Sequence, residues 1–216
     1  MHGYLSSKES FYYQTEYLSR YFKVFAPDLT GFKERDLPFP YSLFDYAKEI
    51  DEYLTAVIED AGRIPSVVAH SFGARIVFYL SPSEKIDKLV LTGAAGVKRR
   101  KKLSVKLKIA AYKFVKRVFN CKIERFGSSD YKSLSPTMKQ SFNKIIAEDL
   151  SGKIPLVKNK TLIIHGENDK DTPPDTAIEL NKKIAGSELV FIKNAGHFCF
   201  VDDPMRFNTL VKEFLS

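Results

Sequence analysis

The chain alternates between short apolar runs typical of buried strands and longer segments with helical periodicity. Strands that alternate with helices favour a parallel sheet flanked by helices, so the sequence predicts an α/β protein. At 216 residues the chain is expected to form one domain with an insertion. Strands are predicted at 21–26, 64–69, 86–92, 160–165 and 188–193, and helices at 5–20, 43–60, 74–80, 174–184 and 204–215.

The second predicted strand runs into a helix through the pentapeptide Ala69-His70-Ser71-Phe72-Gly73. A serine at a sharp turn from strand to helix is typical of a nucleophile elbow. Such a turn is strained and needs small residues two positions to either side of the serine. Gly73 meets that need and Ala69 adds one methyl group. The pentapeptide alone also fits an ordinary serine at the end of a strand.

A nucleophilic serine requires a base that takes its proton and an acid that orients the base. In an elbow fold the order along the chain is serine, acid, histidine. Of the four histidines, His197 comes late enough in the sequence to be the base. The acid should follow the strand at 160–165, where Asp169 has the expected position, with Glu167 and Asp171 as nearby alternatives.

Five motifs in this order resemble those of the α/β-hydrolase superfamily, in its serine-nucleophile branch. They are the elbow, the acid loop and three further segments: His2-Gly3-Tyr4, Ala26–Phe32, and Ala195–Phe198 followed by Asp203-Pro204. Lys33 stands where the second of these segments usually has a glycine. The resemblance implies an α/β-hydrolase fold with a helical lid insertion. It identifies Ser71 as nucleophile, His197 as base and Asp169 as acid, with an oxyanion hole formed by the backbone amides of Tyr4 and Phe72.

The resemblance also implies a hydrolase that cleaves a carboxylic ester or related acyl bond through an acyl-enzyme, with a small-molecule acyl substrate. It implies no metal and no organic cofactor. Thioesters, amides and certain carbon–carbon bonds use the same kind of site, and the sequence does not choose among them. The alternative is a small-molecule-binding or weakly active hydrolase-like protein. The strand that usually carries the His-Gly loop has no counterpart in the sequence, so the core, at 1–95 and 157–216, is expected to be incomplete at its N-terminal side.

The segment 96–156 interrupts the alternation and is predicted to be the lid. It includes a helix at 137–149 with Met138, Phe142, Ile145 and Ile146 facing inward, and an apolar stripe over 103–118. Lid helices roof the substrate pocket in this superfamily, so the apolar stripe is expected to face the site.

The net charge of +8 is concentrated in the lid. Eleven basic residues and no acidic residue lie between Lys98 and Lys122. Lys102, Lys106, Lys113 and Arg117 share one helical face and predict contact with an anionic membrane surface, with a solvated lid face as the alternative. No stacking motif supports a nucleic-acid partner.

Cys121 and Cys199 are too few for a disulfide framework or a zinc site. The sequence shows no apolar run of 18 residues and no signal-peptide pattern, so the expected location is the cytoplasm, with peripheral membrane attachment through the lid.

Overall fold

The computed structural model describes residues 1–32, 37–98 and 134–216. Within them four strands form one sheet: β1 (Val67–His70), β2 (Lys88–Thr92), β3 (Lys160–Gly166) and β4 (Glu188–Ile192). The strands are in the order β1-β2-β3-β4, and every neighbouring pair is parallel. The predicted parallel α/β architecture is therefore confirmed.

Helices cover both faces of the sheet. Successive side chains of a strand point to opposite faces, so Leu89 and Leu91 pack into one apolar layer and Val90 into the other. The helices are α1 (Tyr12–Leu18), α2 (Leu43–Ala61), α3 (Phe72–Leu80), α4 (Pro136–Ala147), α5 (Pro174–Lys183), α6 (Cys199–Asp202) and α7 (Pro204–Leu215), with short 3-10 helices at Lys8–Phe11 and Ile154–Leu156. Helices α2, α3 and α5 contribute to the first layer, and α1 and α7 to the second.

Local sequence signals set the ends of α2. The Ser42 hydroxyl accepts a hydrogen bond from the Asp45 amide, and the Asp45 carboxylate accepts one from the Ser42 amide, which is a capping box. Gly62 ends the helix in the left-handed region with φ of 67°. Both ends lie where the sequence predicts them. None of the helices described is long and apolar enough to cross a membrane.

The predicted strand at 21–26 is wrong, because these residues form no strand. In the described part of the chain β1 lies at the edge of the sheet, and Met1 occupies part of that edge. The Met1 amino group donates to the Val68 carbonyl over 2.7 Å, and the Met1 carbonyl accepts from the His70 amide over 3.0 Å. A cavity of about 760 Å³ is lined by Phe22 and Val24 together with Val67 and Val68 of β1. Within the described part of the chain, residues 22–26 therefore have no neighbouring strand with which to pair.

The described part of the predicted lid contains α4, which confirms a helix at this position. Ser135 caps its start by accepting from the Met138 amide. Met138 and Ile145 are buried and Phe142 is half-buried, as predicted, but Ile146 is 55% exposed. The apolar stripe at 103–118, Cys121 and the four basic residues Lys102, Lys106, Lys113 and Arg117 lie outside the described residues. The division into core and lid therefore stays a prediction.

Candidate active site

The residues predicted to act together all follow the carboxyl ends of strands. Ser71 follows β1, Asp169 follows β3 and His197 follows β4. Because the strands are parallel and in register, these ends meet at one edge of the sheet. Clefts at this edge are the usual location of ligand sites in open α/β sheets.

Ser71 is held in a strained backbone conformation between β1 and α3. Its φ is 48° and its ψ is −105°, a combination that non-glycine residues rarely adopt. Two hydrogen bonds hold this conformation. The Ser71 amide donates to the Thr92 carbonyl at 3.0 Å, and the Ala95 amide donates to the Ser71 carbonyl at 3.2 Å. A Cβ on Gly73 would lie 2.8 Å from the Met1 carbonyl oxygen, so the elbow needs glycine there.

His197 lies in the loop after β4, close to Gly93 at the end of β2. Its Nδ1 lies 2.8 Å from Oδ2 of Asp169. A Cβ on Gly93, which follows β2, would lie 3.1 Å from the His197 ring and 3.0 Å from its carbonyl oxygen. Gly93 directly follows Thr92, the hydrogen-bond partner of Ser71. Ser71 and His197 therefore both approach the segment Thr92–Gly93 at the end of β2.

Asp169 is buried, and both oxygens of its carboxylate accept hydrogen bonds. Oδ1 accepts from the amides of Asp171 and Thr172, each at 2.9 Å. Oδ2 accepts from the Thr172 hydroxyl at 2.7 Å in addition to His197. Burial alone would raise the pKa of Asp169, but the hydrogen bonds from His197 and Thr172 outweigh it and lower the pKa to about 2. The carboxylate is thus ionised and oriented toward His197.

The two alternative acids are placed differently. Glu167 and Asp171 are both exposed. Asp171 contributes its backbone amide to Asp169, whereas the imidazole of His197 is hydrogen-bonded to Asp169. Of the three carboxylates left open by the sequence, Asp169 is the one that contacts His197.

Two residues that support this site, Thr172 in the loop after β3 and His165 within β3, were not anticipated from the sequence. The Thr172 hydroxyl bridges the pair, since it also lies 3.3 Å from Nδ1 of His197. His165 is fully buried, and its Nε2 lies 2.6 Å from the Thr172 carbonyl oxygen, to which it must donate. Aspartate side chains commonly accept hydrogen bonds from the amides two and three positions later and so form a local turn. The sequence therefore contained a signal for Thr172. It held none for His165.

The predicted oxyanion loop passes beside the elbow. A Cβ on Gly3 would lie 2.8 Å from Nδ1 of His70 and 3.3 Å from Cβ of Ser71, so the backbone at Gly3 approaches the elbow closely. The His2 ring is buried and fixes the loop: Nδ1 donates to the Gly3 carbonyl at 2.8 Å, and Nε2 accepts from the Leu29 amide at 3.0 Å. Phe72 is the first residue of α3, where helix amides have no partner within the helix. The structure thus brings the segments of Tyr4 and Phe72 to Ser71.

Helix α4 covers this side of the site. The Tyr4 hydroxyl donates to the Met138 carbonyl at 3.1 Å, and the rings of Tyr4 and Phe142 are 5.0 Å apart. Arg75 of α3 donates to the carbonyls of Ile145 and Glu148 at the end of α4. Cations favour the C-terminal end of a helix, so Arg75 attaches α4 to the helix that follows Ser71.

One group of side chains could in principle hold a metal ion. Asp169, Asp171 and His197 offer ligand atoms that all lie within 4.8 Å of one another, the single such group found among the described residues. However, His197 uses Nδ1 for its hydrogen bond to Asp169, and both oxygens of Asp169 accept hydrogen bonds. An ion would have to replace the contact between Asp169 and His197. The arrangement fits a hydrogen-bonded acid–base pair better than a metal site.

The buried histidines predict a loss of stability in acid. Burial lowers the pKa values of His2 and His165, and burial together with the charge of His197 lowers the pKa of His70 to about 3. The unfolded chain therefore binds more protons than the folded chain as the pH falls below about 6.5. We expect the free energy of unfolding to decrease there by up to about 1.4 kcal/mol per pH unit for each histidine. Asp169 adds nothing to this slope above about pH 4, because its pKa is lowered and its contribution is lost only toward pH 2.

Urea unfolding at pH 7.5 and pH 4.5 measures this effect. The variant His70→Gln serves as the control, because it lacks the most strongly shifted histidine and should show a shallower dependence on pH. Equal stability of the parent protein at the two pH values would contradict the prediction.

Comparisons with known proteins agree with the fold. A family profile described as "Alpha/beta hydrolase family" matches residues 1–210. The AB hydrolase superfamily protein YisY of Bacillus subtilis is 28% identical over 248 residues, covering 99% of this chain and 89% of that protein. The 2-hydroxy-6-oxo-2,4-heptadienoate hydrolase of Pseudomonas putida is 24% identical, over 92% of this chain and 80% of that protein. The structure of an esterase from Exiguobacterium antarcticum superimposes with a TM-score of 0.74 at 24% identity, over 100% of this chain and 90% of that one.

Proposed function

The chain belongs to the alpha/beta hydrolase family, and from that premise we propose that it is a serine hydrolase whose triad is Ser71, His197 and Asp169. The observation that supports this most directly is the 2.8 Å hydrogen bond between Asp169 and His197, which follow the carboxyl ends of β3 and β4 as Ser71, with its φ of 48°, follows that of β1. A buried carboxylate, an imidazole and a strained serine at one sheet edge are the three parts that nucleophilic acyl transfer requires.

In the proposed reaction Oγ of Ser71 attacks the substrate carbonyl while His197 takes its proton. Asp169 accepts from Nδ1 of His197, which leaves Nε2 as the basic nitrogen and stabilises the imidazolium that forms. The amides of Phe72 and Tyr4 donate to the oxygen on which negative charge develops, and each such donor is worth about 3–4 kcal/mol. His197 then returns the proton to the leaving group, and water releases the acyl group from Ser71.

Carboxylic esters of small apolar acids are the substrates we propose. The rings of Tyr4, Phe32, Phe72 and Phe142 lie near one another beside the nucleophile, and their centroids are 4.9 to 6.2 Å apart in contacting pairs. Phe32 and Phe72 are buried, so the half-buried rings of Tyr4 and Phe142 are the part of this cluster that an apolar acyl group could contact. One relative is named an esterase and another a dienoate hydrolase, so cleavage of a carbon–carbon bond next to a carbonyl is the outcome to test beside ester hydrolysis.

A fluorophosphonate probe tests the proposed function. The probe phosphonylates serines that are activated by a neighbouring base, and we expect one modified peptide, which contains Ser71. Short-chain p-nitrophenyl esters should slow the labelling by competition, and their hydrolysis should show a burst of p-nitrophenol as the acyl-enzyme forms.

Two controls make the result specific. Heat-unfolded protein should not react, because an unactivated serine is a poor nucleophile. Labelling at another serine, or ester hydrolysis that persists after complete modification of Ser71, would contradict the proposal. Labelling of Ser71 without ester turnover would restrict the substrate to the carbon–carbon class or to a bound ligand.

A further inference from the structure

His70, the residue before the nucleophile, contacts the loop that carries the base. Its side chain is 1% exposed. The Nε2 atom lies 3.1 Å from the carbonyl oxygen of His197. The His70 ring centroid is 4.7 Å from that of His197 and 4.9 Å from those of Phe198 and Phe200. The end of β1 is thus joined to the loop after β4 although β2 and β3 lie between them.

The chemistry of this contact fixes the proton on the His70 ring. A carbonyl oxygen can only accept, so Nε2 must donate. In the neutral ring Nδ1 is then without a proton, and this atom is buried and lacks a partner among the described residues. A Cβ on Gly3 would lie 2.8 Å from Nδ1, so the oxyanion loop packs directly on this side of the ring. Burial and the nearby charge of His197 lower the pKa of His70 to about 3, although Asp169 acts in the opposite direction. The ring therefore stays neutral, and its donor stays in place, throughout the neutral pH range.

His70 does not itself fit the role of a base. Its Nε2 is occupied by the His197 carbonyl, and its burial leaves no path for substrate.

We propose that His70 is a positioning residue that holds the backbone of His197, and so directs the imidazole of His197 toward Ser71. The inference rests on the proposed function, in which His197 is the base. His197 is confined from two sides: Gly93 allows close approach of its ring and carbonyl, and His70 binds that carbonyl. Asp169 sets the rotation of the imidazole, whereas His70 sets the position of the backbone from which it projects.

Two substitutions separate the hydrogen bond from the volume of the ring. His70→Phe keeps a ring among Phe198 and Phe200 but removes the donor. His70→Gln places an amide nitrogen near the position of Nε2 and can restore the donor. A misplacement of about 1 Å at a catalytic group can cost about 100-fold, so we expect kcat of His70→Phe to fall about 10- to 100-fold. KM should change by less than about threefold, since no contact with substrate is lost. His70→Gln should regain most of kcat.

Ser81→Ala is the matched control. The Ser81 hydroxyl is also buried and also donates to a carbonyl, that of Val77, at 2.8 Å, but it lies at the far end of α3. This variant should unfold more easily and keep its kcat. If His70→Phe has the kcat of the parent protein, or if His70→Gln is as slow as His70→Phe, the proposal is wrong.

A second readout does not depend on turnover. The proton shared by Nδ1 of His197 and Asp169 should give a protected downfield NMR signal in the parent protein and in His70→Gln. The signal should broaden or disappear in His70→Phe. If the parent protein neither reacts with the probe nor hydrolyses esters, yet the signal behaves as described, the proposed function fails and the positioning role of His70 stands. An unchanged signal in His70→Phe overturns the positioning role whatever the activity.

Discussion

Replacement of Ser71 by alanine should lower kcat for ester hydrolysis by about 10⁶-fold and abolish reaction with the fluorophosphonate probe. Alanine removes the atom that attacks the substrate, and no neighbouring group can replace it. The fold should persist, because the hydrogen bonds of Ser71 come from its backbone amide and carbonyl. Alanine also adopts the required positive φ no less readily than serine, so the free energy of unfolding should be close to that of the parent protein.

His197→Ala should cause a loss of similar size, because the serine hydroxyl is then present without a base. Residues that act as one unit have non-additive effects, so the double variant should be about as slow as either single variant. Kinetics at saturating p-nitrophenyl ester measure all three. Ser83→Ala, in the loop after α3, is the control and should keep the parent kcat. A double variant that is slower by the product of the two single effects would mean that Ser71 and His197 act independently.

The fold was predictable from the sequence where local patterns decide it. The boundaries of α2 follow from the capping box at Ser42 and from Gly62, and both signals lie within a few residues of the ends they set. The elbow, the acid loop and the histidine loop each follow a strand, as the sequence predicts. The strands are parallel and in register, so their carboxyl ends bring these three segments together. The position of the predicted acid and base at one edge follows from that topology.

The predictions that were wrong or missing concern residues whose structure depends on distant parts of the chain. Residues 22–26 have the composition of a strand, but a strand also needs a neighbour, and the edge of β1 is contacted by Met1 instead. Ile146 fits the apolar periodicity of α4 but is exposed, since helix spacing does not say how wide the buried face is. The buried rings of His165 and His70 are hydrogen-bonded to Thr172 and His197, which lie 7 and 127 residues away in the sequence, so no local pattern indicates these contacts.

Asp169→Asn should lower kcat by about 10⁴-fold, whereas Asp171→Asn should leave it nearly unchanged. An amide at position 169 can keep the turn, because its oxygen can still accept from the amides of Asp171 and Thr172. It would however present an NH₂ group to Nδ1 of His197 and so favour the tautomer with its proton on Nε2. In that tautomer Nε2 carries the proton and has no lone pair with which to take the Ser71 proton. The loss should therefore appear in kcat and in the probe reaction rate, with little change in KM.

The free energies of unfolding of the same variants provide an independent check, because the pKa of Asp169 sets the direction in which they change with pH. The folded pKa of Asp169 is lowered to about 2 by its hydrogen bonds, so its ionised form stabilises the fold above its unfolded value and the contribution is lost as the pH falls toward 2. Asp169→Asn should thus be less stable than the parent protein at pH 7, and the difference should shrink below about pH 4.

Asp171→Asn is the control. Asp171 is exposed and its carboxylate is not the partner of His197, so this variant should have the stability of the parent protein both at pH 7 and below pH 4. If Asp171→Asn loses activity and Asp169→Asn retains it, the carboxylate that contacts His197 in the structure is not the one that orients it during catalysis.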